Sequence, residues 1–481
     1  MRILHYMFGT PPVRSGGLVR YALDLIRQEA RIGENVILLL PGTLPKNTDR
    51  RIRIRKSRSR IRRILTYTID NPLPIPMCNG IRNAKAYTKS CDASVYAAFL
   101  KKIKPDIIHI HTFMGLHQEF LNEAQKLEIP MVFTTHDYFG ICPTATLLFA
   151  DNICTDIDWK QCGLCCKNAY SMKRLRLEQS VLYRIYRKSS WLAGWMHKGI
   201  CKNSFRTMRA PQMAKVSHTD STMHNKAGDC GELLDYAVLK HYYASMFDKI
   251  SWFHYNSVLS RRLYQSRLGE KKGSVIPISH ACISDCRSVR DYGKKLRVGY
   301  FGGWVEHKGF FQLLDVCRMM WEEGNRMLEL HLYSDTEECN EAFVVNHKAF
   351  RAGQMEDVFQ DIDILVVPSR CPETFGFVVL EALSFGVPVI ASQNVGAGEL
   401  LKEYPGCGIR YDGTTGELKR VLEKLYADTG RRMLQDMNQK ILDMDDLFLY
   451  EGHVKKIVRL YKSLLSKQRK DSFVGNSRRK K

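Results

Sequence analysis

Arg370-Cys-Pro-Glu-Thr-Phe-Gly-Phe-Val-Val-Leu-Glu-Ala-Leu-Ser-Phe-Gly-Val-Pro-Val-Ile-Ala-Ser392 is the stretch on which the fold reading rests. The apolar run Ile362 to Val367 before it has the length and composition of a buried strand. Pro368 to Thr374 then reads as a loop, Phe377 to Phe385 as a helix, and Val387 to Ala391 as a second buried strand. Strand, loop, helix and strand in this order make one unit of a parallel sheet. The loop ends at a helix N-terminus, where free N–H groups and the positive dipole end favour phosphate or sugar oxygens. Glu373 lies on the loop and Glu381 eight residues later on the helix. A carboxylate at such a place accepts hydrogen bonds from hydroxyls without a metal. Gly376 lets a ligand approach the backbone. Helix capping by Glu373 and a solvated Glu381 are the alternative.

Outward from this unit, the plan repeats. Toward the N-terminus, Arg297 to Phe301 and Leu328 to Tyr333 read as strands around a helix Phe310 to Glu322. A first half carries strands at Ile3 to Met7, Val36 to Leu40, Ile107 to Ile110, Met131 to Thr134, Ile250 to Phe253 and Val275 to Ile278. A helix at Leu18 to Ile32 follows its first strand. The fold class is therefore α/β, with two doubly wound domains facing each other across a cleft. Residues 1–284 form the first and 285–450 the second, with the polar stretch Asp285 to Lys295 as linker. A terminal helix at 451–466 is predicted to cross back to the first domain, and 467–481 to be a basic, irregular tail. Ligands of such sheets bind beyond the carboxyl ends of the strands.

Two basic regions interrupt the plan. Arg50 to Arg63 holds nine Lys/Arg in 14 residues, and about 167–245 reads as a basic, mostly helical insertion in the first domain. In the latter, Lys173, Arg174, Arg176, Arg184, Arg187 and Lys188 alternate with Leu175, Val181, Leu182 and Ile185, with Trp191 and Trp195 beyond. This pairing of basic and apolar faces suits an interfacial helix on an anionic membrane; a solvated helix face is the alternative. The net charge of +23 requires a polyanionic partner of some kind. No nucleic-acid motif accompanies it, so nucleic acid is not the expected partner. No apolar run approaches the roughly 20 residues of a membrane span. The N-terminus reads as a strand, and the 15 cysteines as mostly reduced thiols. A cytoplasmic protein, peripheral at the inner membrane face, is the expectation.

The Arg370–Ser392 segment resembles the Glu-x7-Glu signature of retaining GT-B glycosyltransferases of the family 4 type (glycosyl transferases group 1), whose two domains are Rossmann-like. The match includes Pro372, Phe375-Gly376, Glu381-Ala382 and Gly386-Val387-Pro388-Val389. The resemblance implies that Glu373 contacts a donor sugar, Glu381 the ribose of its nucleotide, and the amides of Phe375 and Gly376 the sugar and phosphates. Tyr300 to Gly309 resembles the family's Gly-Arg-x4-Lys-Gly element, which makes Gly302 and Lys308 donor-binding; Gly303 stands where that element has Arg. Gly16-Gly17 takes the place of the family's glycine loop near the donor. His136 becomes the residue near the transferred sugar and, with Glu373, the catalytic pair; His111 and Asp137 lie behind it. Ser279-His280 replaces the family's Asn-Gly, and Ser334-Asp335 its Gly-x-Gly.

The implied reaction moves a sugar from a nucleotide diphosphate-sugar to an acceptor hydroxyl with retention. The acceptor is expected to be a lipid-linked or polysaccharide-precursor glycan of the cell surface. A sugar-nucleotide epimerase or hydrolase of the same fold, and a non-catalytic nucleic-acid- or membrane-binding protein, are the alternatives. No cofactor and no catalytic divalent metal are expected: Asp361-Ile362-Asp363 sits at the start of its strand, and Asp156-Ile157-Asp158 in a loop without one. Cys142, Cys154, Cys162 and Cys165 are candidates for a structural zinc.

Overall fold

A computed structural model describes residues 1–44, 51–57, 64–77, 80–149, 152–154, 159–188, 229–334, 338–350, 352–445 and 449–478. Its chain forms two mainly parallel sheets. The first holds eight strands: β1 (Arg2–Tyr6), β2 (Asn35–Pro41), β3 (Arg53–Lys56), β4 (Leu65–Asp70), β5 (Ile107–Ile110), β6 (Met131–Thr134), β9 (Trp252–Tyr255) and β10 (Gly273–Val275). A small antiparallel hairpin, β7 (Leu148–Phe149) and β8 (Asn152–Ile153), stands apart from it. The order is β10-β9-β6-β5-β1-β2-β4-β3, and only the edge strand β3 runs antiparallel. The order reverses direction between β1 and β5, so a crevice opens beyond their carboxyl ends.

The second sheet holds β11 (Leu296–Tyr300), β12 (Leu328–Tyr333), β13 (Val344–His347), β14 (Ile364–Val367), β15 (Val389–Ser392) and β16 (Gly408–Tyr411). Its order, β13-β12-β11-β14-β15-β16, is the dinucleotide-fold order 3-2-1-4-5-6. Here the reversal falls between β11 and β14. The loops leaving these two strands are the ones that carry Lys308 and Glu373.

The central strands of both sheets are buried along their whole length, as expected for strands covered on two faces. One apolar cluster joins the halves. It runs from Ile3, Tyr21, Leu25 and Ile107 through Phe375, Val379 and Leu383 to Ile457 and Tyr461. The last two belong to the terminal helix Tyr450–Arg478, which packs on the helix Gly17–Arg31 of the first half.

Strand positions read from sequence agree with the observed ones within two or three residues. Six strands, β3, β4, β7, β8, β13 and β16, were not anticipated. In β3 the alternation Arg53-Ile54-Arg55 is a period-two pattern half hidden by its charge. The terminal helix also runs past 466 to Arg478. Lys, Arg and Gln are good helix formers, and they extend a helix whose earlier turns are packed. Of the stretch 167–245, the described parts include helices Met172–Glu178, Val181–Lys188 and Asp229–Phe247. Trp191, Trp195, Asp156, Asp158, Asp335 and most of the basic run 58–63 lie outside the described residues.

Candidate active site

The C-terminal half of the site is built at the β11/β14 reversal. After β11 the chain turns through Phe301 to Val305 into a short 3-10 turn, Glu306–Lys308. Gly309 follows with φ 73°, and a side chain there would overlap the carbonyl oxygen of Pro368 in the loop after β14. Glycine is thus what lets the two loops pack together, because it tolerates both the positive φ and the contact. The Arg370 and Cys371 amides both donate to the His307 carbonyl at 3.1 Å. Lys308 Nζ lies 3.1 Å from Glu373 Oε1, and the Ser369 hydroxyl donates to the same oxygen. Burial would lower the Lys308 pKa, but the Glu373 carboxylate outweighs it and holds it above the ordinary value. Lys308 therefore stays a fixed cation beside a glutamate.

Glu373 itself is clamped by backbone. Its amide donates to Asn394 O at 2.7 Å, and its carbonyl accepts from Gly396 at 3.1 Å. The helix Phe377–Ser384 starts just beyond, after Gly376. Glu381 is nearly buried on that helix. It is held by two residues from outside it: Arg20 Nη1 donates at 2.8 Å and His280 Nε2 lies at 2.9 Å from Oε1. Burial opposes protonation of His280, yet bonds with Cys282 and Glu381 raise its pKa overall. Neither Arg20 nor His280 was anticipated as a site residue. The signal for His280 was present as the replacement of Asn-Gly by Ser279-His280; Arg20 carried none beyond its place in the first helical turn after Gly16-Gly17.

The N-terminal half meets this loop directly. Thr374 Oγ1 donates to His136 O at 2.8 Å, and Ser257 Oγ donates to Thr374 O at 2.7 Å. Gly17 opens the helix Gly17–Arg31 so close to Phe377 that a side chain there would lie 3.4 Å from its ring. The structure thus brings together Gly16-Gly17, His136, Phe375, Gly376, Glu373 and Lys308. Gly302 lies beside this group, where a side chain would crowd the Tyr300 hydroxyl. Gly303 lies exposed, with its carbonyl accepting from Tyr300 Oη at 2.8 Å. Asp137 turns away from the cleft: its carboxylate accepts from Phe139 N and its carbonyl from Tyr264 Oη. Burial pushes the Asp137 carboxyl up to about 6.

Behind His136 lies a group the sequence did not foretell as a whole. His5, His109 and His111 have ring nitrogens within 4.8 Å of one another. His109 and His111 share a face, as strand period two requires, and stack at 4.3 Å; His5 pairs in register with His109 across β1 and β5. All six ring nitrogens are already engaged, by Glu29, Tyr461, Thr134, His136 or each other. The group is therefore a hydrogen-bond network rather than a metal-ligand set. The cysteine expectation fares differently. Among the described residues no three of Cys142, Cys154, Cys162 and Cys165 gather their sulfurs within 4.8 Å. Cys142, Cys154 and Cys162 line an apolar pocket with Phe139 and Leu147, and burial raises Cys162 and Cys165 to about 12. Asp363, the second acid of the Asp-x-Asp pattern, is buried against the Arg297 guanidinium at 2.6 Å and has a structural role.

Two facing dinucleotide-type sheets with a Lys–Glu pair at one reversal point and a histidine at the other define a GT-B glycosyltransferase. Residues 295–428 match the model of glycosyl transferases group 1, and residues 15–191 that of glycosyltransferase family 4; the chain belongs to this family and is a glycosyltransferase. No curated protein matches the sequence. Among solved structures, sucrose-phosphate synthase from Thermosynechococcus elongatus is similar at 14% identity and TM-score 0.51, over 97% of this chain and 99% of that one. Anabaena HepE in complex with UDP-glucose is similar at 14% and 0.51, over 96% and 100%. The trehalose 6-phosphate synthase of Burkholderia multivorans is similar at 11% and 0.52, over 97% and 99%. At these identities the likeness concerns the fold. Among the described residues no helix is long and apolar enough to cross a membrane.

Proposed function

We propose that the protein transfers a sugar, with retention, from a nucleotide diphosphate-sugar to a hydroxyl of an anionic, lipid-linked or polysaccharide-precursor acceptor. The observation that carries this reading is the Lys308–Glu373 pair at the β11/β14 reversal, joined through Thr374 to His136. In this reading residues 1–284 hold the acceptor, 285–450 hold the donor, and the terminal helix ties the two. Lys308 and the amides of Phe375 and Gly376 stabilise the charge that grows on the leaving diphosphate. Glu373 and His136 position the sugar. Glu381 takes the ribose diol, sharing it with His280 while Arg20 gives way or turns to the phosphates. The leaving phosphate then assists removal of the acceptor proton on the same face.

An anionic acceptor is supported by a cleft on the first half. Arg14 and Arg184 both line it, beside Pro11, Thr66, Thr68 and Gln179. Burial holds both guanidinium pKa values below the ordinary one; Arg14 lowers Arg184 further, and Arg187 lowers Arg14 against the opposing pull of Tyr183 and of Glu178 in the same cleft. Arg184 is spent on the Pro41 and Gly42 carbonyls, and Arg14 Nη1 reaches only the Met77 sulfur. Neither is in an ion pair with a carboxylate among the described residues. An anionic membrane surface is supported by Leu177, Val181, Leu182 and Ile185, which are all more than half exposed next to Lys173, Arg174 and Arg176.

The test is release of nucleotide from UDP-, GDP- and ADP-sugars with a lipid extract as acceptor. One donor turns over only when acceptor is present, and Glu373→Ala lowers the rate by about 100-fold or more. Turnover of donor alone would favour the epimerase or hydrolase reading. Full activity in Glu373→Ala would overturn the site assignment.

A further inference from the structure

Behind His136 stands a line of buried groups that the transfer chemistry above leaves unused. Glu29 Oε2 lies 2.6 Å from His5 Nε2, His5 Nδ1 lies 3.1 Å from His111 Nε2, and His111 Nδ1 lies 3.1 Å from His136 Nε2. Glu29, His5 and His111 are shielded from solvent almost completely. His136 is only half-buried, at the cleft end. Around the line pack the rings of His109, His254, His453, Tyr21 and Tyr461.

A neutral imidazole has one N–H and one acceptor nitrogen. In a line where every ring faces a neighbour with each nitrogen, one proton position fixes all the others. Only two arrangements are consistent: every ring protonated on Nε2, or every ring on Nδ1. The end group decides between them. A carboxylate only accepts, so the short contact between His5 Nε2 and Glu29 Oε2 places the His5 proton on Nε2. His5 Nδ1 then accepts from His111 Nε2–H, and His111 Nδ1 accepts from His136 Nε2–H. The opposite arrangement would set the His5 lone pair against a buried carboxylate, a costly contact in a low dielectric. Burial, then the neighbouring imidazoles, hold His111 and His136 well below the usual histidine range, which keeps these two rings neutral.

We propose that Glu29, His5 and His111 form a tautomer-setting line that holds His136 as the Nε2–H imidazole and presents its Nδ1 as a hydrogen-bond acceptor to a hydroxyl of the transferred sugar. They are positioning residues; His136 alone reaches the cleft. The inference rests on the placement of His136 beside the sugar. The same logic applies to an independent second line. There His254 Nε2 faces the Ile276 carbonyl, Thr134 Oγ1 bridges His254 Nδ1 and His109 Nε2, and His109 Nδ1 faces Tyr461. A carbonyl also only accepts, so His254 is the internal reference for an Nε2–H ring.

The experiment is long-range nitrogen–proton correlation NMR on the full chain labelled in histidine, with rings assigned by single His→Gln variants. His5, His111 and His136 are expected to match His254 as Nε2–H rings near neutral pH. An Nδ1–H signal from His136 would overturn the proposal, with no variant required. Glu29→Gln removes the obligatory acceptor; His136 is then expected to shift toward Nδ1–H, and kcat to fall by at least about 10-fold with little change in donor KM. A Glu29→Gln protein with His136 unchanged and full kcat would also overturn it. The NMR readout needs no substrate. An Nδ1–H His136 therefore sinks the line and leaves the transferase reading standing, whereas full activity in His136→Asn sinks its placement by the sugar and leaves the line.

Discussion

The two halves of the cleft are made in different ways. In the C-terminal half, the functional groups lie on two loops, 301–309 and 368–376, and the helix that follows. Each loop is contiguous, so its chemistry is written as a short motif. In the N-terminal half, the polar groups come one at a time from β1, β5, the end of β6, β9, the helix Gly17–Arg31 and the terminal helix. Parallel register brings them together, as in the His5–His109 pair. In the C-terminal half Lys308 and Glu373 are partly open, while in the N-terminal half the histidines behind His136 are sealed. The same residue chemistry is thus a binding surface in one half and part of the core in the other.

The sharpest way to break this contrast is a pair of substitutions. His5→Leu leaves the buried Glu29 carboxyl without its hydrogen-bond partner, which should cost about 1–3 kcal/mol of stability or more. Lys308→Ala removes a partly exposed cation and should leave the melting temperature nearly unchanged. It should lower kcat/KM for the donor by about 100-fold, since it removes charge stabilisation of the diphosphate. Thermal denaturation and steady-state kinetics on both variants check this. Equal losses of stability would erase the distinction between the halves.

Acid should act on the N-terminal half first. Burial holds His117 and His254 down to about 4, and His109, His111, His136 and His453 well below the usual range. Their unfolded value is about 6.5. Between these values the unfolded chain binds protons the folded chain refuses, so stability is full above about pH 6.5 and falls as pH drops toward 4. The slope is on the order of 1 kcal/mol per histidine per pH unit. Asp137 acts in the opposite sense: its raised pKa adds stability below about 4 that is lost as pH rises through about 6. One carboxyl offsets only one histidine, so melting temperature should fall from pH 7 to pH 5. A flat profile would contradict the sealed network.

The smallest effect concerns Gly303. A side chain there meets nothing closer than Val305 at 3.8 Å. Gly303→Arg should therefore fold normally, within about 0.5 kcal/mol of the parent, and tighten donor binding several-fold by restoring a second cation. Weaker donor binding would show that Arg20 or another cation already fills that role.

These differences also explain what was legible in the sequence. Glu373, Lys308 and Gly376 could be read because one loop and one helix start hold them in order. The pairing of His109 and His111 on one face followed from strand periodicity alone. His5 and Glu29 could not be read, since nothing local links residue 5 to residue 111; only the β1/β5 register does. Arg20 and His280 were missed because their target, Glu381, is on another element. The strand β3 was obscured because charge dominated a stretch whose alternation of Ile and Arg marks an edge strand. The four cysteines are close in sequence, and three of them, Cys142, Cys154 and Cys162, line one apolar pocket.

The central claim is that Lys308, Glu373 and Glu381 hold a nucleotide diphosphate-sugar. Binding to the folded state raises the melting temperature, so the direct measurement is thermal denaturation of the wild type and of Glu381→Ala with UDP-, GDP- and ADP-sugars. One nucleotide series should stabilise the wild type, and the same series should leave Glu381→Ala unmoved. Stabilisation by none of them, or equal stabilisation of both proteins, would contradict the account.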